Sequence, residues 1–118
     1  MPNIIYIDIH LCVKIINGVL NLKSDYNNYA LSMKALSDET RVKIFEMLSH
    51  DELCACKILE EFNITQPTLS YHMKILCESG LVGSRKDGSM TKYSINKDTL
   101  KSLRNFIDII CENGKTKS

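Results

Sequence analysis

Asn63-Ile64-Thr65-Gln66-Pro67-Thr68-Leu69-Ser70-Tyr71-His72-Met73-Lys74-Ile75-Leu76-Cys77-Glu78-Ser79-Gly80 is the stretch that decides the fold. Thr65 can cap a helix, and Pro67 then falls in the first turn, where a missing N–H costs nothing. Leu69, Met73 and Leu76, spaced i, i+4, i+7, form a core stripe. Gly80 suits the residue just past the helix end. The spacing predicts a helix from about Gln66 to Ser79. Residues 51–62 read as a shorter helix before it, with Leu53, Ile58, Leu59 and Phe62 as its apolar positions. Two short helices joined by the tight Asn63-Ile64-Thr65 connection make a helix-turn-helix. Spacing alone also fits two packed helices with no nucleic-acid role.

Downstream, residues 81–95 read as a β-hairpin. Leu81 and Val82 lead in, Asp87-Gly88 marks the turn, and Tyr93 and Ile95 alternate with Lys92 and Ser94. A hairpin directly after a helix-turn-helix is a wing. Asn96 caps a final helix that carries Leu100, Leu103, Ile107 and Ile110 on one face, with Gly114 after its end. That stripe is long enough to cover the core or to pair with a second subunit.

Upstream, residues 26–36 read as a helix with Tyr29, Met33 and Leu36 on one stripe. Ser37 reads as the N-cap of the next helix, with Asp38 and Glu39 in its first turn, where the helix dipole favours acids. Val42, Phe45 and Leu48 or Ile44 supply its buried face. Residues 5–15 alternate apolar and polar, so they predict a strand, and Asn17-Gly18 predicts a hairpin turn, although Ile5, Ile9, Cys12 and Ile16 also fit a helical period. The chain therefore divides into an N-terminal extension (1–24), a winged helix-turn-helix with terminal dimerisation helices (25–114) and a tail (115–118). The fold class is mainly α with a small β-hairpin wing and an extra N-terminal strand or hairpin.

The 118 residues suffice for one domain but not two. No apolar run is long enough to span a membrane, and the N-terminus lacks the basic start of a signal peptide. A cytoplasmic setting follows, in which thiols stay reduced. Five cysteines, an odd number, also argue against a disulfide framework. Net charge is only +1, so the distribution matters more than the total. Residues 38–61 carry seven acids against three bases, whereas residues 65–97 carry five bases against two acids. The reader and wing are thus the locally basic part of the chain, as phosphate binding requires.

On the predicted recognition helix, Gln66, Thr68, Ser70, Tyr71 and Lys74 fall on the flank or outside of its N-terminal half. That half is the part such helices present to base edges. Gln pairs with adenine, and Ser and Thr hydroxyls reach bases or phosphates. Arg85, Lys86 and Lys92 on the wing suit phosphate or minor-groove contacts. His72 lies at the border of the core stripe.

Cys54-Ala55-Cys56 carries different chemistry. Two thiols with one residue between them are a soft bidentate ligand, suited to zinc, cadmium, lead, copper(I) or trivalent arsenic. On a regular helix the two would point about 200° apart, whereas in extended or first-turn geometry they can face the same way. Chelation should therefore unwind or bend the start of the first helix of the reader. Read alone, the pair fits small buried apolar residues better than ligands.

Ala35-Leu36-Ser37-Asp38-Glu39-Thr40-Arg41, Glu52-Leu53-Cys54-Ala55-Cys56, residues 66–76, Gly80-Leu81-Val82 and Lys92-Tyr93-Ser94-Ile95 together resemble the ArsR/SmtB family of winged-helix repressors. The match spans about residues 30–96. The Glu-Leu-Cys-x-Cys element looks like that of members responsive to As(III) and Sb(III). The resemblance implies no enzyme but a homodimer that binds operator DNA and releases it when the inducer binds. The target would be a resistance operon. Some arsenic sensors carry a third thiol three residues after the second, and here that position is Leu59. Cys12, Cys77, Cys111 or a small-molecule thiol could supply the missing ligand. Cys77 and Cys111 fall on or beside apolar stripes, whereas Cys12 shares a polar strand face with His10 and Asp8. Cadmium and lead sensors of the family add N-terminal thiols, so a Cd(II)/Pb(II) sensor using Cys12 is the alternative. A thiol redox regulator on the same scaffold is another. Zn(II)-responsive relatives place Asp and His ligands in the last helix. This chain offers Asp108, Cys111 and Glu112 there but no His, so no zinc site is expected at that helix.

Overall fold

A computed structural model of the chain describes residues 25–115. In order they form α1 (residues 25–35), α2 (Glu39–Leu48), β1 (Leu53–Cys54), α3 (Ala55–Leu59), α4 (Gln66–Glu78), β2 (Val82–Asp87), β3 (Met90–Ile95) and α5 (Lys97–Lys115). This is a mainly α winged helix-turn-helix in which α3 and α4 are the helix pair and β2–β3 the wing. The strand and hairpin expected over residues 5–22 lie outside the described residues.

Helix α4 forms where local chemistry places it. The Thr65 hydroxyl accepts from the Thr68 N–H at 3.3 Å, and Pro67 sits in the first turn. Leu69, Met73 and Leu76 are buried as expected. Gly80 takes φ +85, a conformation that favours glycine, and the chain turns there into the wing. The hairpin turn is Gly88-Ser89 rather than Asp87-Gly88, because Asp87 pairs with Met90 across the ladder. Gly88 alone of the two has a positive φ, as a type II′ turn requires.

The expected single helix over residues 51–62 is a strand followed by one helical turn and a half. Leu53 and Cys54 pair antiparallel with Tyr93 and Lys92, making a three-stranded sheet in the order β1-β3-β2. Two residues show no alternation to read, and their partners lie about forty residues away. Helix α3 begins only at Ala55.

Helix α2 is capped by Asp38, not Ser37. Asp38 has extended backbone and its carboxylate accepts from the Arg41 N–H at 3.1 Å, whereas the Ser37 hydroxyl donates back to the Lys34 carbonyl at the end of α1. The buried face of α2 is Arg41, Ile44 and Leu48, while Val42 is exposed and Phe45 half-buried. In α1, Ser32 and Ala35 are buried and Met33 is exposed, so the inward stripe is rotated from the expected one.

The core joins Ala35, Ile44, Leu48, Ile58, Leu69, Met73, Leu76, Leu81 and Val82. Each large apolar side chain buried there stabilises by about 1.5–3 kcal/mol. The Asn96 carboxamide accepts from the Asp98 and Thr99 N–H groups and starts α5 as expected. That helix runs through Gly114 to Lys115 instead of stopping before it. Leu103 is buried, but Ile107 and Ile110 are exposed. Tyr29 of α1 stacks on Phe106 of α5 at 4.3 Å, fastening the two terminal helices together.

Candidate thiol site and nucleic-acid interface

The sheet determines how the two thiols meet. Cys54 is both the last residue of β1 and the N-cap of α3, with extended backbone (φ −79, ψ 159). Cys56 is the second residue of α3. Because only one of the two is helical, the angular separation expected on a regular helix does not arise. Their sulfurs lie 2.6 Å apart. The pair takes the extended, first-turn geometry in which both thiols face the same way, rather than regular helical positions. Cys54 is buried and Cys56 exposed, so the pair opens to solvent on one side.

The pair shares its protons unequally. The hydrogen bond from the Cys56 thiol holds Cys54 below the ordinary thiol range, with the Lys57 N–H adding to the effect. The same bond, together with burial and the charge on Cys54, holds Cys56 above that range. Cys54 is therefore the more acidic thiol of the pair.

Two adjacent sulfurs fit a thiophilic ion. Among the described residues, no group of three His, Cys, Asp or Glu side chains is arranged to hold a metal. Leu59 packs half-buried against the core. Cys77 is half-buried on α4, its thiol pushed up by burial and then by Glu78. Cys111 is exposed on α5. His10 and Cys12 lie outside the described residues.

A cleft of about 330 Å³ opens beside the thiols. It is lined by Cys54, Ala55 and Cys56, by Gln66 and Ser70 of α4, and by Ser89, Met90, Thr91 and Tyr93 of the wing. The thiol pair, the recognition helix and the wing tip thus share one wall.

Of the side chains expected to meet nucleic acid, Gln66, Thr68, Ser70, Tyr71 and Lys74 are all exposed on α4. The wing bases are less free. Arg85 makes a bidentate pair with Glu52 at 2.7 and 2.8 Å. This bond holds the Glu52 carboxyl below its usual range. Lys92 pairs with Asp87 at 3.0 Å, which likewise lowers Asp87. Lys86 donates to the Thr91 hydroxyl at 3.0 Å.

The register also aligns Cys54, Lys92 and Arg85 in one row across the sheet. Directly opposed residues share a face. The thiol strand is therefore a strand of the wing, a connection the sequence pattern did not reveal.

Another group was missed. Arg41 is buried, its Nε donating to the Ala35 carbonyl at 2.8 Å and its Nη1 to His72 Nδ1 at 3.0 Å. A guanidinium only donates, so Nδ1 must accept and the neutral ring carries its proton on Nε2. Asp38 lies 3.9 Å from the same nitrogen. This network ties the end of α1 and the start of α2 to the middle of α4. The polar residue on the core stripe, His72, was the one hint of it.

Comparison with known proteins agrees with this architecture. Residues 38–84 match the family described as "Bacterial regulatory protein, arsR family". The chain is 44% identical over 85 residues to an arsenical resistance operon repressor of Staphylococcus xylosus, covering 72% of this chain and 82% of that protein. It is 37% identical over 82 residues to a cadmium resistance transcriptional regulatory protein CadC homolog of Staphylococcus aureus, covering 69% and 68%. Among solved structures, an ArsR-like transcriptional regulator from a Rhodococcus species superposes with a TM-score of 0.66 at 28% identity, over 77% of this chain and 87% of that one. No described helix is long and apolar enough to cross a membrane.

Proposed function

This chain belongs to the ArsR family of winged-helix transcriptional regulators, and we propose that it is an operator-binding repressor released by As(III) or Sb(III) at Cys54 and Cys56. Membership makes it a DNA-binding regulator rather than an enzyme. The observation that carries the inducer reading is the meeting of the two sulfurs at the mouth of the cleft that α4 and the wing share.

The geometry gives release two routes. Gln66 and Ser70 line the cleft and are also candidate DNA contacts, so inducer and operator compete for the same side chains. Cys54 is hydrogen-bonded into the wing through β3, and Glu52 holds Arg85 two residues earlier. A shift of the thiol strand is therefore passed to the wing relative to α4. Allosteric coupling of this kind is ordinarily about 1–3 kcal/mol, a 5- to 150-fold loss of DNA affinity.

We assign the operator contacts to Gln66, Thr68, Ser70, Tyr71 and Lys74, with Arg85, Lys86 and Lys92 on the wing. Two copies of the chain pair through α1 and α5. These helices are locked together by Tyr29 and Phe106 and leave Leu31, Met33, Ile107 and Ile110 exposed. Such a patch marks an interaction surface.

Alkylation mapping tests the site. Arsenite should protect Cys54 and Cys56 from a thiol reagent, leave Cys77 and Cys111 as reactive as before, and release bound DNA. Protection elsewhere with Cys54 and Cys56 still reactive would refute the assignment.

A further inference from the structure

The two thiols leave trivalent arsenic one coordination position short. The cleft beside them is lined with neutral oxygen and amide groups, from Gln66, Ser70, Ser89, Thr91 and Tyr93. Among the described residues of that lining, Met90 is the only other sulfur, and a thioether carries no charge to replace hydroxide. The Thr91 hydroxyl already accepts from Lys86, so its own proton is free to be donated.

We propose that the third ligand is oxygen: the site takes arsenous acid as a dithiolate that keeps one hydroxyl, held in the cleft by Ser70 and Thr91 with Gln66 beside them. This rests on the reading of Cys54 and Cys56 as the inducer site. Arsenous acid, As(OH)3, meets two S–H groups. Two As–O bonds break and two As–S bonds form. Each departing hydroxide leaves as water with a thiol proton, and arsenic stays trivalent. The retained As–OH both donates and accepts hydrogen bonds, which suits hydroxyl and carboxamide neighbours.

The consequence is selectivity and mechanism together. A tetrahedral divalent cation needs further charged or imidazole donors, which are absent among the described residues of this lining. The retained hydroxyl also engages Ser70 and Gln66 on the recognition helix itself. The inducer thereby occupies groups that would otherwise meet DNA.

Arsenic K-edge absorption on the full chain, loaded with one equivalent of arsenite and no small thiol, reads the ligand set directly. Two sulfurs and one oxygen are expected. Three sulfurs would overturn the inference while leaving the inducer site intact, whereas no arsenic–sulfur bond would remove the reading beneath it. A second measurement uses methylarsonous acid, which fills the third position with a methyl group. Ser70→Ala combined with Thr91→Val should weaken arsenite binding in the absence of DNA by about 3- to 10-fold. It should leave methylarsonous acid binding unchanged. An equal loss for both arsenicals would show that the two hydroxyls do not serve the retained oxygen.

Discussion

Cys54 and Cys56 hold one proton between them over the interval separating their depressed and raised titrations. The sign of the pH dependence follows. Arsenous acid meeting one thiolate and one thiol loses two hydroxides as water, one with the thiol proton and one with a proton from solvent, so its uptake consumes a proton. A divalent cation displaces the Cys56 proton and releases it. Arsenite affinity should therefore fall as pH rises past the Cys54 titration, by at most about tenfold per pH unit, while cadmium affinity rises until Cys56 ionises. Calorimetric titration across that interval checks both slopes; parallel slopes would contradict the shared-proton pair. At the same scale, Arg41 has no solvent to fall back on. Arg41→Met leaves the Ala35 carbonyl and His72 Nδ1 unpaired in the core. We expect a loss of about 2–4 kcal/mol in chemical denaturation. A change under about 0.5 kcal/mol, typical of a surface position, would mean the network contributes nothing.

Elements that rest on neighbours in sequence were legible, and those that rest on distant partners were not. Thr65, Pro67 and Gly80 bound α4 by local chemistry, and Asn96 starts α5 the same way. Strand β1 exists only because Leu53 and Cys54 find Tyr93 and Lys92. Arg41 is buried only because His72, thirty-one positions away, receives it. The thiol pair was visible as residues, but its geometry depended on the unseen strand. Glu52, the residue before that strand, restrains the wing through Arg85. Glu52→Gln should free Arg85 to meet a phosphate, raising DNA affinity and steepening its salt dependence by up to about one ion. Unchanged affinity and slope would mean that Arg85 does not face the duplex.

For the whole molecule, the proposed unit is a pair of chains. Helix α5 exposes Ile107, Ile109 and Ile110, and α1 exposes Tyr26, Leu31 and Met33. Covering them would place two recognition helices on one duplex, as paired half-sites require. Ile107→Glu with Ile110→Glu should yield a monomer in sedimentation with native helix content and much weaker operator binding. A variant that still sediments as a dimer would move the interface elsewhere. In this proposal the thiol pair and the DNA reader are one device. Its most direct test is operator affinity, at fixed salt, with and without arsenite, for the wild type and for Cys54→Ser and Cys56→Ser. A weakening of about 5- to 150-fold is expected in the wild type and none in either variant. Equal weakening in all three would contradict it.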